Sequence, residues 1–357
     1  MKVAVVRNRS YKGVIGKLGA PCQERYGRAS VQAVINALRT AGHSVEVLEG
    51  DITLFDRLMQ FMPPDPSTGI PTGMVFNMAY GIQGESRYTH IPSMLELSGV
   101  PYTGPSPFCH TVALDKVLTK LLMQLHGIPT PNFRVLERPD GNVDGMKWPF
   151  IVKPRRESTS LGLRLVHNKT ELVAAVDEVI TNFQQSALVE EYIDGREVAV
   201  ALLGNDPVEV LPIVELDYGD REVRIMTKPD KFHKTGIEPK KLCPAPLGEA
   251  KTEELKKIAV RLFHLTQCRD YTRLDIRLDK DGNPYVLEIN SMATLGGKGG
   301  LVMAARTGGY TFKQLVWRIL DVAHYRYFNC PAPRGINAGE HGRYRRTIEQ
   351  TAGSESA

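Results

Sequence analysis

The chain has 357 residues, 42% of them hydrophobic and 24% charged, with a formal net charge of +5. That length allows two or three domains with their own cores, and the charge is too small for a dedicated nucleic-acid binder. No run approaches the roughly 18 uninterrupted apolar residues of a membrane span, and the apolar N-terminal stretch, broken at Arg7, is too short for a signal peptide. The five cysteines (Cys22, Cys109, Cys243, Cys268, Cys330) are scattered and form no Cys-x-x-Cys pair. An odd, unpaired set of this kind predicts reduced thiols in a cytoplasmic protein.

The first hundred residues alternate between strand and helix. Apolar runs predict strands over 3–6, 45–48 and 73–77, and a helix over 28–40 with a stripe at Val31, Val34, Ile35 and Leu38, closed by Gly42. This is an open α/β unit. The loop 7–22 contains Gly13, Gly16 and Gly19, but their spacing is not that of a dinucleotide-binding turn. It reads instead as a substrate lip.

The Pro- and Gly-rich segment 101–107 marks a domain boundary. The spacing predicts a helix over 111–127 that buries Leu114, Val117, Leu118, Leu121, Leu122 and Leu125, with Lys116 on the opposite, solvated side. Strands follow over 148–153, 163–167 and 187–190, with a helix over 169–180 between the last two. From Gly195 the chain reads as strand-rich: 197–203, 208–216, then a hairpin over 271–290. The charged stretch 217–242 is long and poor in apolar residues, as expected of a lid or binding loop. A helix over 312–324 ends the fold, and a polar tail from about 334 reads as disordered.

The hairpin carries the most chemistry. Alternating runs flank Asp279-Lys-Asp-Gly-Asn-Pro284, a strong turn signal. Strand alternation puts Arg273, Asp275 and Arg277 on one face, and Glu288 with Asn290 on one face of the return strand. Leu274, Ile276, Leu278, Leu287 and Ile289 form the apolar face. Carboxylates turned inward are costly without a cation. The donors are all oxygen, which suits Mg²⁺ shared with phosphate groups rather than Zn²⁺. A solvated hairpin edge would also satisfy these residues.

Two other segments fit phosphate and nucleoside chemistry. The loop 155–162 brings Ser158, Thr159, Ser160 and Gly162 directly after Lys153, an anion cradle beside a point charge, or simply a turn. The segment 188–197 places Glu190, Glu191 and Glu197 around a turn. It reads as a nucleoside contact or as a charged connector.

Taken in order, these features resemble the ATP-grasp superfamily and, within it, the D-alanine–D-alanine ligase family. The resemblance runs from residue 1 to about 325. It is carried by Gly81-Ile-Gln-Gly-Glu85, Leu95-Glu-Leu-Ser-Gly-Val-Pro-Tyr-Thr-Gly104, Asp115-Lys116, Lys153-Pro154, Glu157-Ser-Thr-Ser-Leu-Gly162, Glu190-Glu-Tyr-Ile-Asp-Gly-Arg-Glu197, Cys243-Pro-Ala-Pro246, and Arg273-x-Asp275 with Leu287-Glu-Ile-Asn290.

The resemblance implies a three-domain α/β (α+β) ATP-grasp fold. An N-terminal open α/β domain would span 1–104, a small central α+β domain 105–194, and a C-terminal domain with an antiparallel sheet 195–332, before a disordered tail over 333–357. ATP would lie between the last two domains. The implied activity is ligation of a carboxylic acid to an amine through an acyl phosphate, with two Mg²⁺ ions, or Mn²⁺ in their place.

By the same resemblance Lys116 and Lys153 hold phosphates, and Glu190, Glu191, Tyr192, Ile193, Glu197 and Leu287 surround the nucleoside, with Glu157 beside them. Asp275, Glu288 and Asn290 hold metal. Arg273 stabilises an oxyanion, Thr159 and Ser160 cover the transferred phosphoryl group, and Lys231 extends from the lid. Glu24, Tyr80, Glu85, Lys298 and Gly299 fall among the substrate contacts. The partners implied are small amino-acid-like acids and amines, with no nucleic acid or membrane, in a homodimer formed through the N-terminal domain.

The departures from the family cluster in the substrate half. Ala293 and Thr294 replace a Pro-Gly pair, Gly299 stands where a serine contacts the second amino acid, Tyr80 replaces a histidine, and Lys231-Phe232 replaces a Lys-Tyr pair. These changes favour a ligase with a different acid or amine. A true D-alanine–D-alanine ligase with drifted contacts, or a silent ATP-binding protein, are the alternatives.

Overall fold

Residues 3 to 6 are apolar on both strand faces because β1 (Lys2–Arg7) is the centre of a parallel sheet. The computed structural model describes residues 1–231, 236 and 238–333. Phe232 and, beyond residue 333, the tail therefore lie outside the described residues. α1 (Arg28–Thr40) follows β1 and turns Val31, Val34, Ile35 and Leu38 inward. β2 (Ser44–Glu49), α2 (Leu54–Phe61), β3 (Gly73–Met78) and α3 (His90–Leu97) complete the unit, with strand order β2-β1-β3. α1 covers one face through Val3 and Val5, and α2 and α3 cover the other through Ala4 and Val6.

The central part comprises α4 (Pro107–Leu114), α5 (Lys116–Leu125), β4 (Phe133–Leu136), β5 (Phe150–Pro154), β6 (Arg164–Val166), α6 (Lys169–Phe183) and β7 (Ala187–Glu191). Its antiparallel sheet runs β4-β7-β5-β6 and is backed by α6. Asn168 caps α6 by accepting from the Glu171 N–H at 3.0 Å.

The C-terminal part contains β8 (Arg196–Leu203), β9 (Glu209–Val210), β10 (Val214–Asp217), α7 (Lys228–Lys231), β11 (Lys240–Leu242), α8 (Glu249–Leu265), β12 (Tyr271–Leu278), β13 (Pro284–Asn290), α9 (Gly300–Thr307) and α10 (Phe312–Phe328). Its sheet runs β11-β10-β8-β12-β13, with β9 on β8. α8 packs on one face through Leu255, Ala259, Leu262 and Phe263, and α9 and α10 pack on the other. Trp317 on α10 donates to the Ala37 carbonyl at 2.7 Å and ties this part to α1.

The helix expected over 111–127 is two helices. Asp115 has an extended ψ of 97° and accepts from the Val117 and Leu118 N–H groups, so it caps a new helix. Its carboxylate is also held by Arg155 at 2.7 Å and Arg156 at 3.0 Å. This polar anchor sets the rotation of α5 and turns the expected face only in part: Leu114 and Val117 are buried as expected and Leu122 is half-buried. Leu118, Leu121 and Leu125 are 40%, 51% and 79% exposed, while Lys116 and Lys120 are 7% and 0% exposed.

The strand expected over 208–216 splits into β9 and β10 around Pro212, which has no N–H to give a ladder. α8 interrupts the region read as strand-rich. Within 217–242 the chain forms α7 and the edge strand β11, so this stretch is not structureless. α10 runs a turn further than expected and ends at Asn329 in the left-handed region. In the hairpin, Arg273 pairs with Asn290 and Asp275 with Glu288, but Ile276 pairs with Val286. The bulge leaves Leu287 over, so Val286 fills the core position expected for Leu287.

Candidate active site

Between the central and C-terminal sheets lies a cleft of about 810 Å³. Among the described side chains, every candidate site residue implied by the resemblance lines it except Glu85. Glu85 points away, paired with Arg156 at 2.5 Å with its side chain 70% exposed. Lys231 ends α7, and its side chain is outside the described residues.

One wall is cationic because α5 starts at Asp115. Lys116 enters the cleft, donates to the Glu157 carbonyl and stands 3.7 Å from Glu288. Burial lowers its pKa, and the Glu288 carboxylate opposes that. One turn on, Lys120 donates to Thr130 at 2.6 Å and pairs with Glu190 at 2.6 Å; Lys153 of β5 meets the other Glu190 oxygen at 2.5 Å. Burial would raise the pKa of Glu190, but the two lysines hold it below the ordinary value. Burial takes Lys120 down to about 8.

The loop after β5 is tied at several points. Glu157 is held by Arg87 at 3.0 Å and accepts from Gln185 at 3.0 Å, so its side chain positions the loop. Thr159 and Ser160 both have φ of +55°, a left-handed backbone that non-glycine residues seldom adopt. The Ser160 hydroxyl donates to the Met226 carbonyl at 2.8 Å, joining this loop to the segment expected to act as a lid.

At the far end of the cleft, the Glu191 side chain faces the central part and accepts from the Lys147 N–H at 2.8 Å. The Ile193 carbonyl accepts from Arg277 at 2.6 Å. Arg277 also meets Glu197 at 3.1 Å, and Tyr218 donates to the same Glu197 oxygen at 2.7 Å.

The hairpin supplies the floor. Arg273 grips Asp275 through two bonds of 2.7 and 2.8 Å, and Asn290 donates to Asp275 at 3.0 Å. Burial opposes the charge on Arg273, and the carboxylates of Asp275, Glu288 and Glu197 outweigh it, so its pKa stands above the ordinary value. Asp275 and Glu288 face each other in register. With Asn290 they offer two carboxylates and an amide oxygen. Among the described residues no group of three His, Cys, Asp or Glu forms a self-sufficient metal cage. A hard cation that completes its shell with phosphate oxygens and water fits this donor set.

The substrate end is aromatic and tightly turned. Tyr80 stacks on Tyr26 with centroids 5.2 Å apart, and Tyr88 donates to the Glu24 carboxylate. Arg87, itself 3% exposed, lies 3.8 Å from Glu24. A Cβ on Gly299 would come within 2.9 Å of the Thr294 carbonyl oxygen and 3.0 Å of that of Gly296. A side chain at 299 therefore requires the turn to shift.

Sequence reasoning missed Lys120, Arg87, Tyr88 and Lys241 as cleft or supporting residues, and placed Arg277 on the site face of the hairpin without giving it a role. For Lys120 a signal existed: Lys116 and Lys120 are four residues apart and share one helix face. The others belong to segments whose spatial partners lie far along the chain.

A family model described as D-ala D-ala ligase C-terminus matches residues 122–321, more than half of the chain. The chain belongs to the D-alanine–D-alanine ligase family. It is an ATP-grasp ligase that forms a carbon–nitrogen bond. The uncharacterized protein y4sG of Sinorhizobium fredii is 47% identical over 333 residues, covering 92% of this chain and 98% of that protein. The D-alanine–D-alanine ligase of Cupriavidus metallidurans is 32% identical over 70% of this chain and 75% of its own, and that of Actinobacillus succinogenes 28% over 86% and 96%. The fold matches the crystal structure of D-alanine–D-alanine ligase from Bacillus anthracis complexed with ATP, at a TM-score of 0.68 and 19% identity, over 90% of this chain and 97% of that one. No helix among the described residues is long and apolar enough to cross a membrane.

Proposed function

We propose that this ligase joins an acid and an amine other than two D-alanines. Gly299 carries the reading: the serine of the family pattern cannot be built there without moving two backbone carbonyls. Tyr80 in place of a histidine, stacked on Tyr26 and tilted against Tyr88, reshapes the acid side in the same way.

In this reading Lys116 and Lys153 hold the phosphates of ATP. Glu190, Glu197, Leu287 and the backbone of 191–193 surround its nucleoside. Asp275, Glu288 and Asn290 would hold two Mg²⁺ ions, which would supply positive charge against the phosphate oxygens. Glu24 receives the polar end of the acid. The acid's carboxylate oxygen takes the terminal phosphoryl group and ADP departs. The amine then attacks the acyl carbon, phosphate leaves, and an amide remains. Arg273, oriented by Asp275, faces the oxygen that gains charge during that attack. Thr159 and Ser160, on the strained turn tied to Met226, exclude water from the activated acid. The N-terminus of α9 receives a carboxylate of the amine substrate.

The test is ADP release with ATP, Mg²⁺ and pairs of amino acids, with products identified by mass. Turnover on mixed or non-alanine pairs that exceeds turnover on D-alanine supports the reading. Full turnover on D-alanine alone overturns it.

A further inference from the structure

We propose that the amine substrate carries a second anionic group, which Lys241 and Lys298 recognise. The inference rests on the ligase reading above and names the class of its amine. β11 brings Lys241 into the cleft opposite the loop that follows the hairpin, through the register of Leu216 with Lys241. Its ammonium donates to the Lys298 backbone carbonyl at 2.6 Å, which fixes Lys241 beside that loop, and the exposed Lys298 side chain is close enough to repel it. That corner also contains Arg273 and the start of α9.

α9 is capped by Gly299, which has no side chain to accept from its first N–H groups. The helix end suffices for one carboxylate. Two further lysines exceed that requirement. Like charges gathered in a partly desolvated corner repel one another, and burial together with Arg273 and Lys298 lowers the pKa of Lys241. An anion relieves the repulsion.

The nearby carboxylates are engaged elsewhere. Asp275 is gripped by Arg273, Glu24 by Tyr88 and Arg87, and Glu238 accepts from the Gly236 N–H at 3.3 Å. Among the described residues no carboxylate pairs with Lys241. The charge is therefore directed at the cleft. An amino acid with a carboxylate or phosphate on its side chain places its α-carboxylate at α9 and its second group between the lysines.

The experiment compares acids with their neutral isosteres as amine substrates. Aspartate against asparagine, glutamate against glutamine, and phosphoserine against serine are offered as D and L forms, with each amino acid also serving as the acid partner. ADP release and product mass are read for the wild type, Lys241→Met and Lys241→Arg. The expected kcat/KM favours the acidic member by about tenfold or more, as for a charge-assisted contact. Lys241→Met should erase most of that ratio, and Lys241→Arg should keep it. A preference limited to phosphoserine identifies phosphate, and one limited to aspartate or glutamate identifies carboxylate. Equal use of acids and isosteres, or a ratio unchanged in Lys241→Met, overturns the proposal while amine-dependent ADP release leaves the ligase reading standing. No amine-dependent release with any pair overturns both.

Discussion

Restoring the family's serine at position 299 tests whether its loss is drift or design. If it is drift, Gly299→Ser is neutral or helpful, because serine caps a helix better than glycine by a few tenths of a kcal/mol and stiffens the unfolded chain by about 0.4–1 kcal/mol. The φ of −68° is open to any residue, so backbone conformation raises no objection. Space does. The new Cβ meets Thr294 O at 2.9 Å, Gly296 O at 3.0 Å and the Thr294 methyl at 3.0 Å. Two of these are backbone atoms, which yield only if the turn 294–299 opens, including the Gly299 N–H to Gly296 O bond of 2.8 Å. Overpacking of this kind costs about 1–3 kcal/mol, which leaves a net loss of about 1 kcal/mol. At roughly 2–4 °C per kcal/mol for a domain of 150–250 residues, Tm falls by a few degrees. Moving the turn also shifts the Lys298 carbonyl that holds Lys241. The KM of the amine should rise about tenfold or more, with the KM of ATP nearly unchanged. Thermal melts and initial rates on the purified variant provide both readouts. A variant that melts at or above the wild type, with an unchanged amine KM or with new activity on D-alanine, refutes the argument.

Other outcomes follow from the cleft. Glu288→Gln removes charge but little volume, so turnover at saturating Mg²⁺ should fall on the order of a hundredfold or more with the melting temperature retained; near-normal turnover would remove Glu288 from the metal site. Lys298→Ala should raise the amine KM by about ten- to a hundredfold, as for a lost charge-assisted bond of about 1.5–3 kcal/mol, and leave the KM of ATP in place; wild-type values for both make Lys298 a surface lysine. For Lys120, whose pKa burial takes from 10.5 to about 8, the unfolded chain keeps a proton that the native chain has released between those two values. Its contribution therefore raises stability as pH climbs through that window. Lys120→Met should flatten this part of the stability-against-pH curve, and denaturant melts at several pH values would show parallel curves if the assignment is mistaken.

The hairpin was legible because alternation and the Asp-Gly turn act locally, and Asp275, Glu288 and Asn290 do converge. Its bulge was not, since moving Leu287 into the cleft depends on the register with β12, across the sheet. α5 shows the same limit in another form. The leucine period was correctly seen, yet the face that turns inward was decided by Asp115 gripping Arg155 and Arg156, some forty residues away. A stripe of leucines predicts burial only when nothing stronger competes. Here a capping carboxylate, two arginines and a buried Glu190 requiring cations outweighed it, and the lysines went in.

That inversion bears on the reaction. A carboxylate as enclosed as Glu190 is costly unless cations meet it, and Lys120 and Lys153 do so from two sides. With Lys120 meeting one oxygen from the helix, Lys153 would be released from Glu190 when, in the proposed reading, a phosphate arrives. The lysine on the strand can exchange a carboxylate for a phosphate, while the lysine on the helix keeps Glu190 ionised behind it. A site with Lys153 alone would have to choose between the two anions. In the proposed reading, the buried Lys120 of α5 and Lys153 of β5 would prepare the nucleotide end for exchange, and Lys241 and Lys298 would do the corresponding work at the amine end.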